Sequence, residues 1–142
     1  MNSPEHDLAL RNLMARYVDA VNRGDGDAWI TTWAEDASWQ LLGNTVTGRD
    51  SILALWQQMM TGFEFALMLP SSCLFDINGH QASGHWYLQE HTRDREGNAA
   101  RAVSRYRDNY SCIDGEWLYQ SRDYDINYYG PADLSGNYTP LT

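Results

Sequence analysis

A carboxylate lies between two phenol groups in the last third of the chain. Tyr106, Asp108 and Tyr110 alternate in the sequence, so on a β-strand their side chains share one face. If that face lines a pocket, loss of solvent raises the pKa of Asp108 toward the range of a general base, unless Arg122 pairs with it. The sequence leaves two alternatives open: Asp108 is the base of an acid–base site, or it has a structural role, in a salt bridge with arginine or a hydrogen bond at the strand end.

The spacing of the histidines argues against a metal site. His85 and His91 lie on one face of a predicted strand, but six residues at roughly 3.3 Å each separate them by about 20 Å. The chain also has no His-Glu-x-x-His motif, no Gly-x-Ser-x-Gly motif, and no phosphate-binding or dinucleotide-binding loop. We therefore expect no bound metal and no cofactor.

Aromatic side chains are frequent, with six tryptophans and nine tyrosines in 142 residues. Such side chains bury large apolar areas and still offer an N–H or O–H group to a partner. Most of them are expected in the core, but their number favours a pocket with aromatic walls. The Tyr17 hydroxyl either points into this pocket or packs in the core. The walls are expected to include Trp29, Trp33, Trp39 and Trp56.

Three helices are predicted in the first half of the chain. Pro4 is typical of a first helical position, an apolar stripe follows at helical spacing, and Gly24 is typical of a helix end. A short second helix is expected at 27–34. After a strand at 37–42, Asp50 is placed as the N-cap of the third helix.

The second half of the chain alternates apolar segments with turns, which predicts consecutive strands. Helices followed by antiparallel strands indicate an α+β fold, in which the helices cover one side of a curved sheet. A ligand would lie in the gap between the two layers. The strands are predicted at 63–69, 73–77, 82–93, 100–112 and 117–128, the first two separated by Pro70–Ser72.

Three segments carry a resemblance to a known family. They are Tyr17–Asp36, then Arg105–Tyr110 with Asp114-Gly115 and Trp117, and Asn127–Tyr129 with Pro131. Together they resemble the SnoaL-like domain of the NTF2-like superfamily, in its scytalone dehydratase and hexachlorocyclohexane dehydrochlorinase branch. The resemblance implies a single domain over 1–142. Its implied fold is a cone-shaped α+β roll, with three N-terminal helices packed on a curved, mostly antiparallel sheet that encloses a pocket.

The resemblance also implies a catalytic pair that this chain lacks. In that branch an Asp at the end of the first helix orients a His on the first long strand, and the His abstracts a proton. Counted without gaps, the Asp position falls on Asn22 and the His position on Met68. Asn cannot hold a charge against an imidazolium, and Met cannot accept a proton at neutral pH. Asn22 and Met68 are therefore expected as pocket residues without the usual chemistry.

The first functional hypothesis is a cofactor-free lyase, isomerase or cyclase acting on a hydrophobic carbonyl or cyclic compound. Asp108 would be the base, and Tyr17 or Tyr106 would donate a hydrogen bond to the enolate. Tyr110 and Arg122 would complete the ligand site.

Two further hypotheses need no catalysis by this chain. The first is a pocket that only binds a small apolar molecule, which the replaced catalytic pair and the aromatic walls favour. The second is an accessory subunit, because the small subunits of ring-hydroxylating dioxygenases are similar in fold. In each case the resemblance implies a homodimer or homotrimer.

The charge of the chain excludes some partners. Ten basic against nineteen acidic residues give a net charge of −9, and no basic patch is present to replace the counterions of nucleic acid or to bind an anionic membrane. Cys73 and Cys112 are isolated, which suits free thiols in a reducing compartment. With a polar N-terminus unlike a signal peptide, we expect a cytoplasmic protein.

Overall fold

The computed structural model describes residues 3–133 and 137–138, which form three helices and seven strands. The helices are α1 (Pro4–Arg23), α2 (Gly26–Ile30) and α3 (Arg49–Met60). The strands are β1 (Trp33–Leu41), β2 (Asn44–Thr47), β3 (Phe63–Asn78), β4 (Gln81–Asp94), β5 (Ala99–Ile113), β6 (Glu116–Gly130) and β7 (Asn137–Tyr138). From the sequence, the tail from Tyr129 to Thr142 could wrap the surface, cover the pocket mouth or fray; its residues 134–136 and 139–142 lie outside the described residues.

The strands form one curved, unclosed sheet in the order β2-β1-β6-β5-β4-β3, with β7 paired to the end of β6. The pair β1–β6 is parallel and the other pairs are antiparallel. The α+β class and the mostly antiparallel sheet predicted from the sequence are therefore confirmed. Long hairpins make up β3–β6, and the helices cover one face of them.

Helix α1 packs its apolar stripe against the sheet. Leu10, Leu13 and Tyr17 are among its buried residues, as the helical spacing predicts. Gly24 ends the helix at φ +67°, a left-handed conformation that glycine adopts without a steric cost. Across the described part of the chain, no helix is long and apolar enough to cross a membrane.

The second helix and the first strand differ from the prediction. Helix α2 ends at Ile30, and β1 begins at Trp33 because Trp33 pairs with Tyr119 of β6. A buried tryptophan fits either a helix or a strand, so the local pattern could not show whether Trp33 ends the helix or begins the strand. Strand β2 was not predicted, because its residues are largely exposed and do not alternate between buried and exposed positions.

Two further boundaries are corrected. The predicted strands at 63–69 and 73–77 are a single strand, with a shift in register between Pro70 and Ser72. Proline is tolerated there because β3 is at the sheet edge. Helix α3 has Gly48 as its N-cap residue and begins at Arg49, so Asp50 lies in the first turn and is not the cap.

Candidate functional site

A cavity of about 350 Å³ lies between helices α1 and α3 and the concave face of the sheet. This volume is within the usual range of small-molecule sites. Its walls are almost entirely apolar or aromatic. The lining residues are Tyr17, Val21, Trp39, Leu41, Leu42, Trp56, Met59, Met60, Phe63, Ala66, Leu67, Met68, Glu90, Thr92, Ala102, Tyr106, Tyr124, Ile126 and Tyr129.

The mouth of the cavity is marked by two lining residues that reach solvent. Leu42 is 66% exposed and Tyr129 is 56% exposed, whereas Trp39 on the inner wall is 2% exposed. Leu42 belongs to the β1–β2 turn, and Tyr129 to the end of β6. A ligand would therefore enter beside this turn.

Glu90 is the one carboxylate among the residues that line the cavity. It lies on β4 between Met68 of β3 and Ala102 of β5, and the Tyr124 hydroxyl donates a 2.5 Å hydrogen bond to Glu90 Oε1. Burial raises the pKa of Glu90, and the bond from Tyr124 opposes that shift. Burial also raises the pKa of Tyr124, so this hydroxyl keeps its proton as a hydrogen-bond donor.

Two further hydroxyls lie on the same part of the cavity wall. The hydroxyl oxygens of Tyr17 and Tyr106 are 3.1 Å apart, within hydrogen-bond distance, and the rings of Tyr106 and Tyr124 are 5.2 Å apart. Burial raises the pKa of Tyr17 and raises that of Tyr106 well above its ordinary value. Both side chains are therefore neutral phenols with one O–H proton each. One hydroxyl donates to the other, which leaves the second proton for an oxygen in the cavity.

Asp108 does not line this cavity and forms a buried ion pair. Arg122 donates from Nε to Asp108 Oδ1 at 2.7 Å and from Nη2 to Oδ2 at 3.0 Å, and the Tyr110 hydroxyl donates to Oδ2 at 2.7 Å. Burial raises the pKa of Asp108, while the charge of Arg122 opposes the shift. Of the two alternatives for Asp108, the structure shows the salt bridge.

The guanidinium of Arg122 is enclosed by aromatic rings. Its Cζ atom lies 3.6 Å from the ring centre of Tyr106, 3.9 Å from that of Tyr119 and 4.5 Å from that of Tyr17. Arg122 is 0% exposed, and its Nη1 has no hydrogen-bond partner among the described residues. Arg122 and Tyr110 therefore lie behind the cavity wall rather than in it.

The four tryptophans expected in the walls divide into two pairs. Trp39 and Trp56 line the cavity. Trp29 stacks on Trp56 with ring centres 4.7 Å apart, and Trp33 contacts Trp39 at 5.8 Å. Trp29 and Trp33 thus support the lining rings from the core.

Asn22 and Met68, the positions of the missing catalytic pair, are adjacent in space. Asn22 Oδ1 accepts a 2.8 Å hydrogen bond from the Met68 main-chain N–H, and Asn22 Nδ2 donates at 3.2 Å to the Met68 carbonyl. Met68 lines the cavity but Asn22 does not. The amide of Asn22 therefore pairs with the free edge of β3, which gives it a structural contact.

Glu90 was not singled out from the sequence, although the signal was present. Trp86 and Leu88 alternate with Glu90 along β4, and both are buried on the inner face. The two-residue period of a strand therefore directs the Glu90 side chain inward as well. Among the described residues, no group of three or more His, Cys, Asp or Glu side chains could hold a metal ion.

The helices, the curved mixed sheet and the cavity between them define an α+β domain of the NTF2-like type. The family model described as SnoaL-like domain matches residues 4–123, so the chain belongs to this family. The resemblance found in the sequence is thereby confirmed. No curated protein matches the chain by sequence.

Solved structures share the fold at low sequence identity. A protein from Novosphingobium aromaticivorans with the provisional name scytalone dehydratase is 16% identical, with a TM-score of 0.83 over 96% of this chain and 93% of its own. Hexachlorocyclohexane dehydrochlorinase LinA-type3 from Novosphingobium barchaimii is 17% identical, with a TM-score of 0.83 over 97% and 96%. A provisionally named aromatic ring hydroxylase from N. aromaticivorans is 22% identical, with a TM-score of 0.85 over 96% of each chain.

Proposed function

We propose that the domain is an enzyme that moves a proton on a small, mostly apolar carbonyl or cyclic compound, with Glu90 as the base. The observation that carries this proposal is the Glu90–Tyr124 pair in a cavity with otherwise apolar walls. Burial raises the pKa of Glu90, which makes its carboxylate a stronger base than that of a solvated glutamate. The family and the fold are compatible with such chemistry.

The proposed reaction requires proton transfers and, where water is eliminated, the cleavage of one C–O bond. The Glu90 carboxylate takes a proton from the carbon next to a carbonyl. The electron pair of that C–H bond forms a carbon–carbon double bond, and the π pair of the carbonyl moves to its oxygen. The Tyr17 and Tyr106 hydroxyls share a 3.1 Å hydrogen bond, and the one that accepts it donates its own proton to that oxygen.

The carbonyl then re-forms from the enolate. In an isomerisation, the carboxylic acid of Glu90 gives its proton to another carbon of the conjugated system. In an elimination, it gives the proton to a hydroxyl group on the next carbon, whose C–O bond breaks as a carbon–carbon double bond forms and water leaves.

This proposal assigns the base differently from the sequence hypothesis. Both carboxylate oxygens of Asp108 accept hydrogen bonds inside the core, whereas the described contacts of Glu90 occupy only Oε1. Glu90 Oε2 is therefore the oxygen available to a ligand in the cavity.

Hydrogen–deuterium exchange at carbon tests the proposal before the substrate is identified. Cyclohexanone and the tetralones are small apolar ketones whose exchange in heavy water is followed by NMR. The protein should accelerate exchange next to the carbonyl, and Glu90→Gln should lower the catalysed rate by about a hundredfold or more. The amide that this substitution introduces keeps an acceptor for Tyr124 but is not a base.

The matched control is Glu35→Gln, which removes an exposed carboxylate on β1. This variant should exchange the ketones at the wild-type rate. Equal rates for wild type and Glu90→Gln with every ketone would contradict the proposal.

A second candidate function is binding without turnover, which the apolar walls around Trp39, Trp56 and Met68 favour. In that case a neutral fluorescent probe such as N-phenyl-naphthylamine should bind with a wild-type affinity in Glu90→Gln. Ala66→Phe, which adds a ring at a lining position, should abolish the binding. Binding of this kind, together with an absence of exchange in wild type, would favour this candidate over the enzyme.

A further inference from the structure

Two hairpin turns of this chain have the same backbone conformation but differ in their first residue. Leu42-Gly43 joins β1 to β2, and Asp114-Gly115 joins β5 to β6; the flanking residues pair across each turn, so each loop has two residues. Leu42 has φ +51° and Asp114 has φ +53°, and the glycines that follow have φ +84° and +79°. In the described part of the chain, Leu42 and Asp114 are the two non-glycine residues with a positive φ.

This turn conformation suits Asp114 but not Leu42. A two-residue turn with positive φ at both positions favours Asn, Asp or Gly at the first position. A short polar side chain can form a hydrogen bond with the nearby backbone there, and leucine cannot. The left-handed conformation is therefore a steric cost at Leu42, and burial does not offset it, because the residue is 66% exposed. The fold alone gives no reason for a leucine in this turn.

The position of Leu42 relative to the cavity gives such a reason. Leu42 lines the cavity at its mouth. The preceding residue, Leu41, is opposite Tyr124 in the parallel pair β1–β6, and the Tyr124 hydroxyl binds Glu90. The turn therefore begins directly after the strand position that faces the partner of the proposed base. A compound that reacts at Glu90 and extends toward the mouth would cover the Leu42 side chain.

We propose that Leu42 is a specificity-determining residue, whose side chain packs on the outer end of the bound compound, and that this end carries an apolar substituent such as an alkyl chain. The inference rests on the proposed function for the reacting end of the compound. It extends that function by naming the chemistry of the opposite end.

An apolar substituent is the group that contact with Leu42 favours. Burial of one methylene group strengthens binding about fourfold, and the exposed leucine leaves water at the same time. A hydroxyl group at the same place would lose its hydration, and a leucine side chain offers no hydrogen bond in return. Tyr129, the other exposed residue at the mouth, has a hydroxyl that would instead favour a polar substituent. The two kinds of substituent therefore distinguish contact with Leu42 from contact with Tyr129.

Binding of 4-substituted cyclohexanones tests the proposal without requiring turnover. NMR titration gives the dissociation constants of cyclohexanone, 4-propylcyclohexanone and 4-hydroxycyclohexanone. The wild-type protein should bind the propyl compound about tenfold more tightly than cyclohexanone, and the hydroxyl compound no more tightly than cyclohexanone. Leu42→Asn should reduce the advantage of the propyl compound to about threefold or less.

The matched control is Asp114→Leu, which places a leucine in the same backbone conformation at a turn that does not line the cavity. This variant should keep the wild-type advantage of the propyl compound. The two variants should change stability in opposite directions. The Tm should rise by about 3 °C in Leu42→Asn, because the steric cost is relieved, and should fall by a similar amount in Asp114→Leu.

Four results would overturn the inference: no binding or equal binding of the three ketones, tighter binding of the hydroxyl compound than of the propyl compound, a propyl advantage that Leu42→Asn retains in full, or a lower Tm in Leu42→Asn. The last result would mean that the leucine serves the fold. Failure of the proposed function would look different. Ketone exchange that survives Glu90→Gln would reject Glu90 as the base, while the propyl advantage and its loss in Leu42→Asn would still report on the contact at the mouth.

Discussion

Glu90 on β4 and Tyr124 on β6 form a 2.5 Å hydrogen bond, although β5 lies between their strands. The β5 residue opposite Glu90 is Ala102, a small side chain that leaves room for the two to meet. The bond orients one carboxyl oxygen at the wall of an apolar cavity. It also means that the basicity of Glu90 depends on Tyr124.

Tyr124→Phe should weaken the proposed reaction at neutral pH. The Tyr124 bond lowers the pKa of Glu90, so its loss should raise that pKa and leave less carboxylate to act as a base. We expect a rate of ketone exchange about five- to tenfold lower at neutral pH, with recovery at higher pH. The rate is followed by NMR over a pH series.

Tyr129→Phe is the matched control, since Tyr129 also lines the cavity but makes no described bond to Glu90. Its pH profile should match that of wild type. A Tyr124→Phe profile superimposable on the wild-type profile would show that the bond does not tune Glu90.

Glu90→Gln should stabilise the protein relative to wild type, and this gain in stability should be larger at high pH than at low pH. Because burial raises the folded-state pKa of Glu90, the folded protein holds this proton more firmly than the unfolded chain. Wild-type stability therefore decreases as pH rises from the ordinary pKa of glutamate through the raised one. Glutamine carries no charge, so the Tm of Glu90→Gln should rise relative to that of wild type across this pH window. Calorimetry over a pH series measures the difference. A constant difference would contradict the burial of the charge.

Asp108→Asn should destabilise the fold by about 3–5 kcal/mol, because it leaves Arg122 as an uncompensated buried cation. The control is Asp123→Asn, since Asp123 and Arg107 are partly exposed and 3.8 Å apart. That change should cost at most about 1 kcal/mol. Urea unfolding measures the loss of unfolding free energy in both variants. Similar losses would show that the buried ion pair contributes no more to stability than the partly exposed one.

Asn22→Asp should lower the free energy of unfolding by about 1 kcal/mol. Aspartate can accept the bond from the Met68 N–H but cannot donate one to the Met68 carbonyl. Asn44→Asp, at an exposed position of β2, controls for the added charge. Equal unfolding free energies for Asn22→Asp and Asn44→Asp would show that the hydrogen bond from Asn22 to the Met68 carbonyl does not stabilise the fold.

The fold could be predicted from the sequence where a periodic pattern was strong. The stripe of α1 and the alternation of β4–β6 located these elements, since a buried face imposes its period on the sequence. Strand β2 was missed because it is short and mostly exposed. The boundary at Trp33 was misplaced because burial does not distinguish a helix from a strand over a few residues.

The site could be predicted only in part, for a related reason. Alternation correctly placed Tyr106 and Asp108 on one buried face. The alternation pattern could not show that the cavity ends between Tyr106 and Asp108. That boundary depends on the packing of α1, because Met14 of α1 contacts Arg122, the partner of Asp108. Tertiary packing thus decides which residue of one face meets a ligand.

The most direct test of the central claim compares two titrations in one buffer series. The first is the carboxyl carbon of Glu90, followed by NMR in labelled protein and assigned by its loss in Glu90→Gln. The second is the rate of ketone exchange catalysed by wild type. If Glu90 is the base, the rate rises with pH at the same raised pKa at which its carboxyl ionises. A rate that does not change as Glu90 ionises would contradict the account.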